Sequence, residues 1–195
     1  MGIGQVRQAT ESDVEAAVRT LARAFEDYPM TRMGLDPENY LDRLARYQRL
    51  FLTGIGMPHG RVWVAEDVSA VAVWTTPATP SDTFAEHADA FRELAGSRAD
   101  LAEEYAQAMG IFRPREPVWY LALVGVDPDR QHQGLGRAVI TPGLAAADAE
   151  HSPAFLETQD PANLRFYESL GFTVVAELEL PHRGPIHYAL YRAPH

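Results

Sequence analysis

The chain has 195 residues, 46% of them hydrophobic, and its 27 acidic and 17 basic side chains give a net charge of −10. This length predicts a single domain over residues 1–195 with a sizeable buried core. The absence of cysteine excludes disulfides, thiolate catalysis and cysteine metal sites, and the absence of lysine excludes Schiff-base chemistry and a Walker-type phosphate lysine. The acidic balance argues against a nucleic-acid partner, because that binding depends mainly on neutralised phosphates.

The first third of the chain predicts two helices separated by a break. Apolar residues at helical spacing predict a helix over Thr10–Phe25, with Ser12 as its N-cap. The residues Asp27-Tyr28-Pro29 interrupt the pattern, and a second apolar stripe predicts a helix over Pro37–Leu52.

Strands and helices then follow in an order that predicts the fold class. The predicted strands are Arg61–Glu66, Val68–Thr76, Val118–Val126, Ala154–Glu157, Phe172–Leu180 and Ile186–Arg192. The predicted helices are Thr83–Ala95, Arg98–Met109, Gly134–Glu150 and Ala162–Leu170. The first two of these helices read as an insertion packed on the core. The whole predicts an α/β or α+β fold with a mixed sheet and helices on both faces.

The strand Val118–Val126 carries almost no charge, which predicts a central position with both faces buried. Gly125 lies inside it, where glycine marks a bulge or a close backbone approach. A bulge there would splay the strands and free backbone groups of Val124 and Val126 to pair with an extended ligand.

A glycine-rich loop, Gln131-His-Gln-Gly134-Leu-Gly136, joins this strand to the next predicted helix. Glycines let backbone N–H groups approach an anion, and the start of a helix adds partial positive charge, so the loop predicts a pyrophosphate site. The plain alternative is that the glycines only permit a tight helix start. A Rossmann dinucleotide site is another, with Glu157 as the ribose-binding acid, but Val139 replaces the third glycine and a proline turn precedes the loop.

A second stretch places Asn163 and Tyr167 four residues apart on one face of a predicted helix. Asn163 is a candidate to bind a ligand amide, and the Tyr167 phenol is a candidate proton donor to a departing thiolate. The alternative is that the aromatic pair Phe166-Tyr167 only packs in the core.

Together the two stretches resemble the GNAT acyltransferase superfamily. Gln131-x-x-Gly134-x-Gly136, preceded by Val126-x-Pro128, matches its glycine signature, and Asn163-Leu-x-Phe-Tyr167-x-x-x-Gly171-Phe172 matches its C-terminal motif. The resemblance implies a mostly antiparallel sheet splayed at the central strand, acetyl-CoA in the cleft and Tyr167 as general acid. It implies that acetyl-CoA contacts Val124, Val126, Gln131, Gln133, Gly134, Gly136, Arg137 and Asn163.

Further segments resemble the puromycin N-acetyltransferases, a group within that superfamily. They are Ala24-Phe-x-Asp-Tyr-Pro-x-Thr-Arg32, Val71–Pro77, Leu156-Glu-Thr158 and Phe166-Tyr-Glu168. This resemblance implies a primary-amine acceptor, above all the α-amine of puromycin or a related aminonucleoside, and a role in antibiotic resistance. Another small antibiotic or metabolite amine is the alternative, because 83–109 and 181–188 diverge.

Candidates for acceptor binding come from other parts of the chain. Asp27, Tyr28 and Trp119 are expected to bind the acceptor, the aromatic rings by stacking on a flat group. Core packing is the alternative for Trp119, as it is for Trp63 and Trp74. No Glu or Asp lies on the central strand, so a general base is not evident; the candidates by residue type are His132, His182 and His187, all expected at the surface.

The remaining expectations concern location and assembly. The residues Met1–Gln5 lack the features of a signal peptide and no apolar stretch approaches the ~20 residues of a membrane span, so a cytoplasmic protein without a membrane or metal partner is predicted. It would act as a monomer or homodimer. A non-catalytic acyl-CoA-binding module is the alternative from another functional class.

Overall fold

The computed structural model describes residues 5–195, built around one seven-stranded sheet. The strands are β1 (Val6–Gln8), β2 (Arg61–Ala65), β3 (Ala70–Thr75), β4 (Trp119–Val126), β5 (Ala154–Thr158), β6 (Thr173–Glu179) and β7 (Ile186–Arg192). They lie in the order β1-β2-β3-β4-β5-β7-β6, and all neighbours are antiparallel except the parallel pair β4 and β5. The predicted mixed, mostly antiparallel sheet is confirmed. The sequence did not predict β1, because three residues are too few to show alternation.

Helices cover both faces of the sheet. They are α1 (Val14–Phe25), α2 (Pro29–Gly34), α3 (Tyr40–Leu50), α4 (Met57–His59), α5 (Ala88–Ala95), α6 (Ala99–Gly110), α7 (Leu135–Ala149) and α8 (Leu164–Glu168). One core cluster joins α7 to a face that carries all three tryptophans. The other joins α1 and the end of α3 to the opposite face. Helices α5 and α6 pack on the core through Leu94, Tyr105 and Met109, as expected of an insertion.

The first helix begins earlier than its predicted cap. Thr10 is the N-cap of a 3₁₀ turn over Glu11–Asp13 that leads into α1, and the carboxylate of Asp13 accepts hydrogen bonds from the Thr10 N–H and hydroxyl at 2.8 Å each. Arg7 holds the same carboxylate at 2.7 and 2.8 Å. The prediction of Ser12 as N-cap is therefore wrong, since Ser12 lies inside the turn.

The second helix continues beyond its predicted end. After α3 the chain forms a π-helical segment over Phe51–Gly56 and then α4. Gly56 does not stop the helix. A Cβ atom there would lie 2.6 Å from Cγ1 of Val73, so the glycine lets the helix approach the sheet.

The central strand β4 positions the cleft described below. Its residues alternate between buried and half-buried, so the prediction that both faces are buried is wrong. The bulge lies at Ala122, since Val73 pairs with Leu123 and the next residue of β3 pairs with Leu121. Gly125 instead allows close approach of α1, because a Cβ there would lie 2.9 Å from Leu21. The bulge turns the side chains of Ala122 and Leu123 to the same face of the sheet.

Strands β4 and β5 separate after a short parallel pairing. The register runs from Trp119 opposite Ala154 to Leu121 opposite Leu156 and then ends. Among residues 5–195, the five residues of β4 beyond this point have no strand partner on the β5 side. The predicted splay is present, but the bulge next to it is at Ala122 and not at Gly125.

Candidate active site

A cleft of about 1270 Å³ opens where β4 and β5 separate. One end reaches the glycine loop at the start of α7, and the other end lies among α2, α3, α5 and α6. The cleft therefore has a loop end and an acceptor end, with β4 and β5 between them. Its shape suits an extended ligand that meets a second molecule beyond the splay.

The loop end is fixed by ion pairs between neighbouring elements. The side chain of Asp127 accepts a hydrogen bond from the Asp129 N–H at 2.9 Å and starts a 3₁₀ turn. Arg23 of α1 binds Asp127 at 2.6 Å, and Arg130 binds Asp67 of the β2–β3 turn at 2.7 Å. These contacts hold the loop against the sheet independently of any ligand.

The start of α7 leaves backbone donors free. Gly134 is its N-cap in a left-handed conformation with φ of 82°, and its carbonyl accepts the N–H of Ala138 at 3.0 Å. Within the described chain, the N–H groups of Leu135, Gly136 and Arg137 have no protein acceptor. Three free N–H groups at a helix start form an anion site of the pyrophosphate type.

The structure brings the predicted cofactor residues to one end of the cleft. Those that line it are Val124, Val126, Gln131, Gly134, Gly136, Arg137 and Asn163. Gln133 is not among the lining residues, and its side chain accepts a hydrogen bond from Arg130 at 3.2 Å. A ligand role for the Gln133 backbone stays a prediction.

Tyr167 lines the cleft between its two ends. It lies on α8, one turn after Asn163, and its ring packs against Phe166 and Phe172. Its hydroxyl makes no hydrogen bond to any group of residues 5–195, and burial raises its pKa well above the ordinary value. The phenol therefore stays protonated at neutral pH and is free to donate a hydrogen bond to a ligand.

The predicted acceptor residues separate into three different environments. Tyr28 lines the cleft, where its hydroxyl lies 3.0 Å from Oε1 of Gln159. Asp27 is exposed, binds Arg32 at 2.7 Å and is not among the residues that line the cleft, so its acceptor role stays a prediction. Trp119 is buried between Trp63 and Trp74, and its Nε1 donates to Glu150 at 2.9 Å. Core packing holds this ring away from the cleft lining, and the acceptor contact stays a prediction that the structure does not support.

The acceptor end contains a buried carboxylate that the sequence reasoning did not place there. Glu157 lies on β5, its side chain 6% exposed. Its Oε2 accepts hydrogen bonds from Arg113 at 2.9 Å and from the Tyr120 hydroxyl at 2.8 Å. Its Oε1 has only longer contacts, to Nε of Arg113 at 3.4 Å and to Nε2 of His187 at 3.5 Å. This oxygen keeps lone-pair capacity for a proton.

The sequence did not indicate Glu157 as a base, because a base was expected on the central strand alone. β4 indeed has no acidic residue, but parallel pairing brings β5 beside it, and Glu157 then falls where the two strands diverge. The available signal was a single charge in the otherwise uncharged segment Ala154–Thr158. A charge in a short buried strand calls for a partner or a function.

Two of the three candidate histidines are exposed as expected, and the third is not. His132 lies exposed in the glycine loop, and exposed His182 binds Glu104 at 2.7 Å. His187 is completely buried, so its predicted surface position is wrong. Burial lowers its pKa, which keeps the imidazole neutral.

Aromatic rings form one wall of the acceptor end. They contact one another with ring centroids 5.1 to 6.0 Å apart. The members are Tyr47, Phe51, Phe84 and Phe91, all of which line the cleft. Such a wall favours an acceptor with a flat apolar group next to its reacting atom.

The sheet excludes the Rossmann alternative. A dinucleotide fold needs a mostly parallel doubly wound sheet, and here only β4 and β5 are parallel. Val139 is fully buried on α7 and Glu157 is engaged by Arg113. Among residues 5–195, no group of three His, Cys, Asp or Glu side chains is placed to hold a metal ion. No helix in that range is both long and apolar enough to span a membrane.

Comparison with known proteins agrees with this geometry. The model of the acetyltransferase (GNAT) family matches residues 26–172. The mycothiol acetyltransferase of Thermobispora bispora is 39% identical over 72 residues, which are 35% of this chain and 23% of that protein. The mycothiol acetyltransferase of Thermomonospora curvata is 43% identical over 61 residues, 30% of this chain and 20% of that protein. The match therefore spans less than a quarter of the length of either relative.

A solved structure agrees over the whole chain. It is described as histone acetyltransferase HPA2 and related acetyltransferase from Corynebacterium glutamicum, with a TM-score of 0.75 and 23% identity. The superposition covers 100% of this chain and 98% of that one. At this identity the likeness establishes the fold. The resemblance to puromycin N-acetyltransferases stays a prediction.

Proposed function

Because the chain belongs to the GNAT acetyltransferase family, we propose that it transfers the acetyl group of acetyl-CoA to a primary amine of a small molecule. The observation that carries the proposal is the continuous cleft, which runs from the free N–H groups of α7 past Tyr167 to the carboxylate of Glu157. A donor held at one end and an acceptor held at the other would meet at the splay between β4 and β5.

The loop end fits the phosphates and the extended arm of CoA. The N–H groups of Leu135, Gly136 and Arg137 would hold the pyrophosphate. The unpaired edge of β4, with Val124 and Val126 facing the cleft, would bind the pantetheine amides as a neighbouring strand would. Bound in this way, acetyl-CoA supplies an activated thioester.

At the splay, two side chains would transfer protons, and one backbone N–H would stabilise the negative charge that develops on the thioester oxygen. Oε1 of Glu157 would accept the proton of the amine, directly or through one water. A free N–H of β4 beyond Leu121 would donate a hydrogen bond to the thioester oxygen as it gains negative charge. Tyr167 would give its proton to the departing sulfur, and exchange with solvent would restore both side chains.

The acceptor that fits best is an amine next to an aromatic group, such as the α-amine of puromycin or a related aminonucleoside. The aromatic wall at the acceptor end supports this choice, together with the resemblance of the segments around Ala24–Arg32 and Val71–Pro77. An α-amine has a pKa of about 7.7–8.0, so a useful fraction is neutral at physiological pH. Turnover of such an acceptor would give resistance to the antibiotic.

A side-by-side acceptor assay tests the proposal. CoA thiol release is measured with puromycin, an aminoglycoside, a polyamine and a lysine peptide at equal concentrations. We expect puromycin to give the highest kcat/KM. Turnover of the other three without puromycin would refute the aminonucleoside acceptor and leave the acetyltransferase activity intact.

Calorimetry, combined with the thiol-release assay, separates catalysis from simple cofactor binding. Calorimetry with CoA and with NAD is run in parallel, and we expect micromolar binding of CoA and none of NAD. Binding of CoA with no amine accelerating thiol release would favour a non-catalytic acyl-CoA-binding module.

A further inference from the structure

The buried imidazole of His187 has one unsatisfied nitrogen that faces Glu157. Its Nδ1 lies 2.8 Å from Nε2 of Gln159. Its Nε2 lies 3.5 Å from Oε1 of Glu157 and makes no hydrogen bond to residues 5–195. Buried polar atoms without a partner are rare in folded proteins. This one is next to the carboxylate assigned above as the base.

Gln159 determines which imidazole nitrogen carries the proton. Its Oε1 accepts a hydrogen bond from the Tyr28 hydroxyl at 3.0 Å, which leaves its Nε2 facing His187. An amide nitrogen only donates, so Nδ1 of His187 accepts, and the single proton of the neutral ring is on Nε2. The N–H therefore points at Glu157.

We infer that His187 is a positioning residue for Glu157: its Nε2–H orients the carboxylate so that Oε1 faces the acceptor amine. The inference rests on the proposed acetyl transfer. Arg113 and Tyr120 make short hydrogen bonds only to Oε2 and so fix one side of the carboxylate. A few tenths of an ångström of movement would bring Nε2 of His187 into normal hydrogen-bond range of the other oxygen.

A neutral donor suits this position better than a second cation would. Arg113 already provides one positive charge, which pairs with Oε2 of the carboxylate. The imidazole supplies a hydrogen bond without a second charge. It thereby limits the rotation of the carboxylate.

The other titratable groups around Glu157 stay neutral near physiological pH. Tyr120 faces it from β4, and burial together with Glu157 raises the pKa of this phenol well above its ordinary value. Tyr47 of α3 lines the same end of the cleft, and burial raises its pKa to about 12. Tyr28, directly before α2, is the third phenol, and burial raises its pKa as well. The charged neighbour is Arg113, so replacing the neutral His187 changes the hydrogen bonding of Glu157 and not the charge around it.

The test compares kcat and KM in two His187 variants. His187→Phe removes both nitrogens, whereas His187→Gln keeps an N–H donor at a similar distance from the backbone. We expect kcat to fall roughly tenfold in the Phe variant, the size expected for one lost hydrogen bond to a charged group, with little change in the KM for acetyl-CoA. In the Gln variant kcat should return toward that of the parent chain. An unchanged kcat in both variants would overturn the inference, as would equal losses.

Matched controls separate this role from folding and from the proposed function. His182→Phe alters an exposed histidine next to the same strand and should leave kcat and both KM values unchanged. CoA affinity should be the same in all variants, because the loop end is not touched. If no amine is acetylated by the parent chain, the proposed function fails by itself.

A spectroscopic measurement on the parent chain does not depend on turnover or on any variant. ¹⁵N NMR of the imidazole is expected to show the neutral Nε2–H tautomer. A proton on Nδ1 instead would refute the positioning role, since Nε2 would then have nothing to donate to Glu157.

Discussion

The two ends of the cleft are built in different ways. At the loop end, residues 131–137 follow one another directly, and the free N–H groups come from one turn of backbone. At the acceptor end, Arg113, Tyr120, Glu157 and His187 come from four separate segments that only the folded sheet brings together. Backbone geometry makes the first site, and side-chain contacts make the second.

This difference predicts how substitutions act. Changes at the loop end should alter CoA affinity and leave the pH profile of the reaction intact. Changes at the acceptor end should alter kcat/KM for the amine with little effect on CoA binding. A substitution that affects both would show that the two ends are coupled through β4 and β5.

The largest expected effect is that of Glu157→Gln. Without a carboxylate at Oε1, kcat/KM should fall by roughly 10²- to 10⁴-fold, the usual contribution of a general base. CoA affinity, measured by calorimetry, should remain within error. Glu177→Gln on the exposed edge strand β6 is the matched control and should behave like the parent chain. Full activity of the Glu157 variant would mean that a water or the backbone takes the proton.

Tyr167→Phe tests the point where the two ends meet. With the hydroxyl removed, kcat should fall by about 10²-fold with little change in the KM for acetyl-CoA, because the ring still packs against Phe166 and Phe172. Since burial raises the pKa of Tyr167, activity of the parent chain should not decline from tyrosine ionisation up to about pH 10. Tyr191→Phe serves as the control, because Tyr191 of β7 is half-buried, contacts Glu116 and does not line the cleft. An unchanged kcat in the Tyr167 variant would remove the proton-donor assignment.

The loop end could be predicted from the sequence, and the acceptor end largely could not. Gly134 and Gly136 perform their role through local geometry, so a contiguous pattern is enough to locate it. The position of Glu157 depends on which strand lies beside β4, and that depends on long-range pairing. His187 was expected at the surface because it lies near the last predicted hairpin. In the fold, β5 and β6 pair with both edges of β7 and the ring is fully buried.

Within the fold, the helices and strands could likewise be predicted from local patterns, whereas the irregularity of β4 could not. The six predicted strands and six predicted helices occur in the predicted order because apolar periodicity is a local property. The short elements β1, α2 and α4 were missed, since they span too few residues to show a period. The bulge at Ala122 was not predicted, since nothing in Leu121-Ala-Leu123 distinguishes the position that skips a partner. Gly125 was a reasonable candidate for the bulge, yet its small size serves contact with Leu21 of α1.

A pair of glycine variants tests the loop end. Gly134→Ala places a side chain on left-handed backbone, which costs about 1–2 kcal/mol, and shifts the free N–H groups, so the Kd for CoA should rise roughly tenfold. Gly110→Ala, at the end of α6 and outside the cleft-lining residues, is the control. Its Cβ would meet no atom within 4 Å, and the Kd should stay within error. Equal effects of the two would show that backbone conformation does not make this site.

Trp119→Phe tests whether this ring belongs to the core or to the acceptor end. The substitution removes the hydrogen bond to Glu150 and part of the contact with Trp63 and Trp74, so the unfolding free energy should fall by about 1–3 kcal/mol. The KM for the acceptor should not change. Chemical denaturation and steady-state kinetics measure the two quantities. A raised acceptor KM with unchanged stability would return Trp119 to the acceptor end.

The smallest effect is expected at Asp27, which the sequence grouped with Tyr28. The side chain of Asp27 is 89% exposed and its partner Arg32 is 45% exposed, so the ion pair is screened by solvent. Tyr28 instead lines the cleft and donates to Gln159, which orients His187. Asp27→Asn should therefore leave Tm, CoA affinity and acceptor KM unchanged, while Tyr28→Phe should lower kcat/KM severalfold. A raised acceptor KM in the Asp27 variant would mean that the mouth of the cleft extends to this carboxylate when the amine is bound.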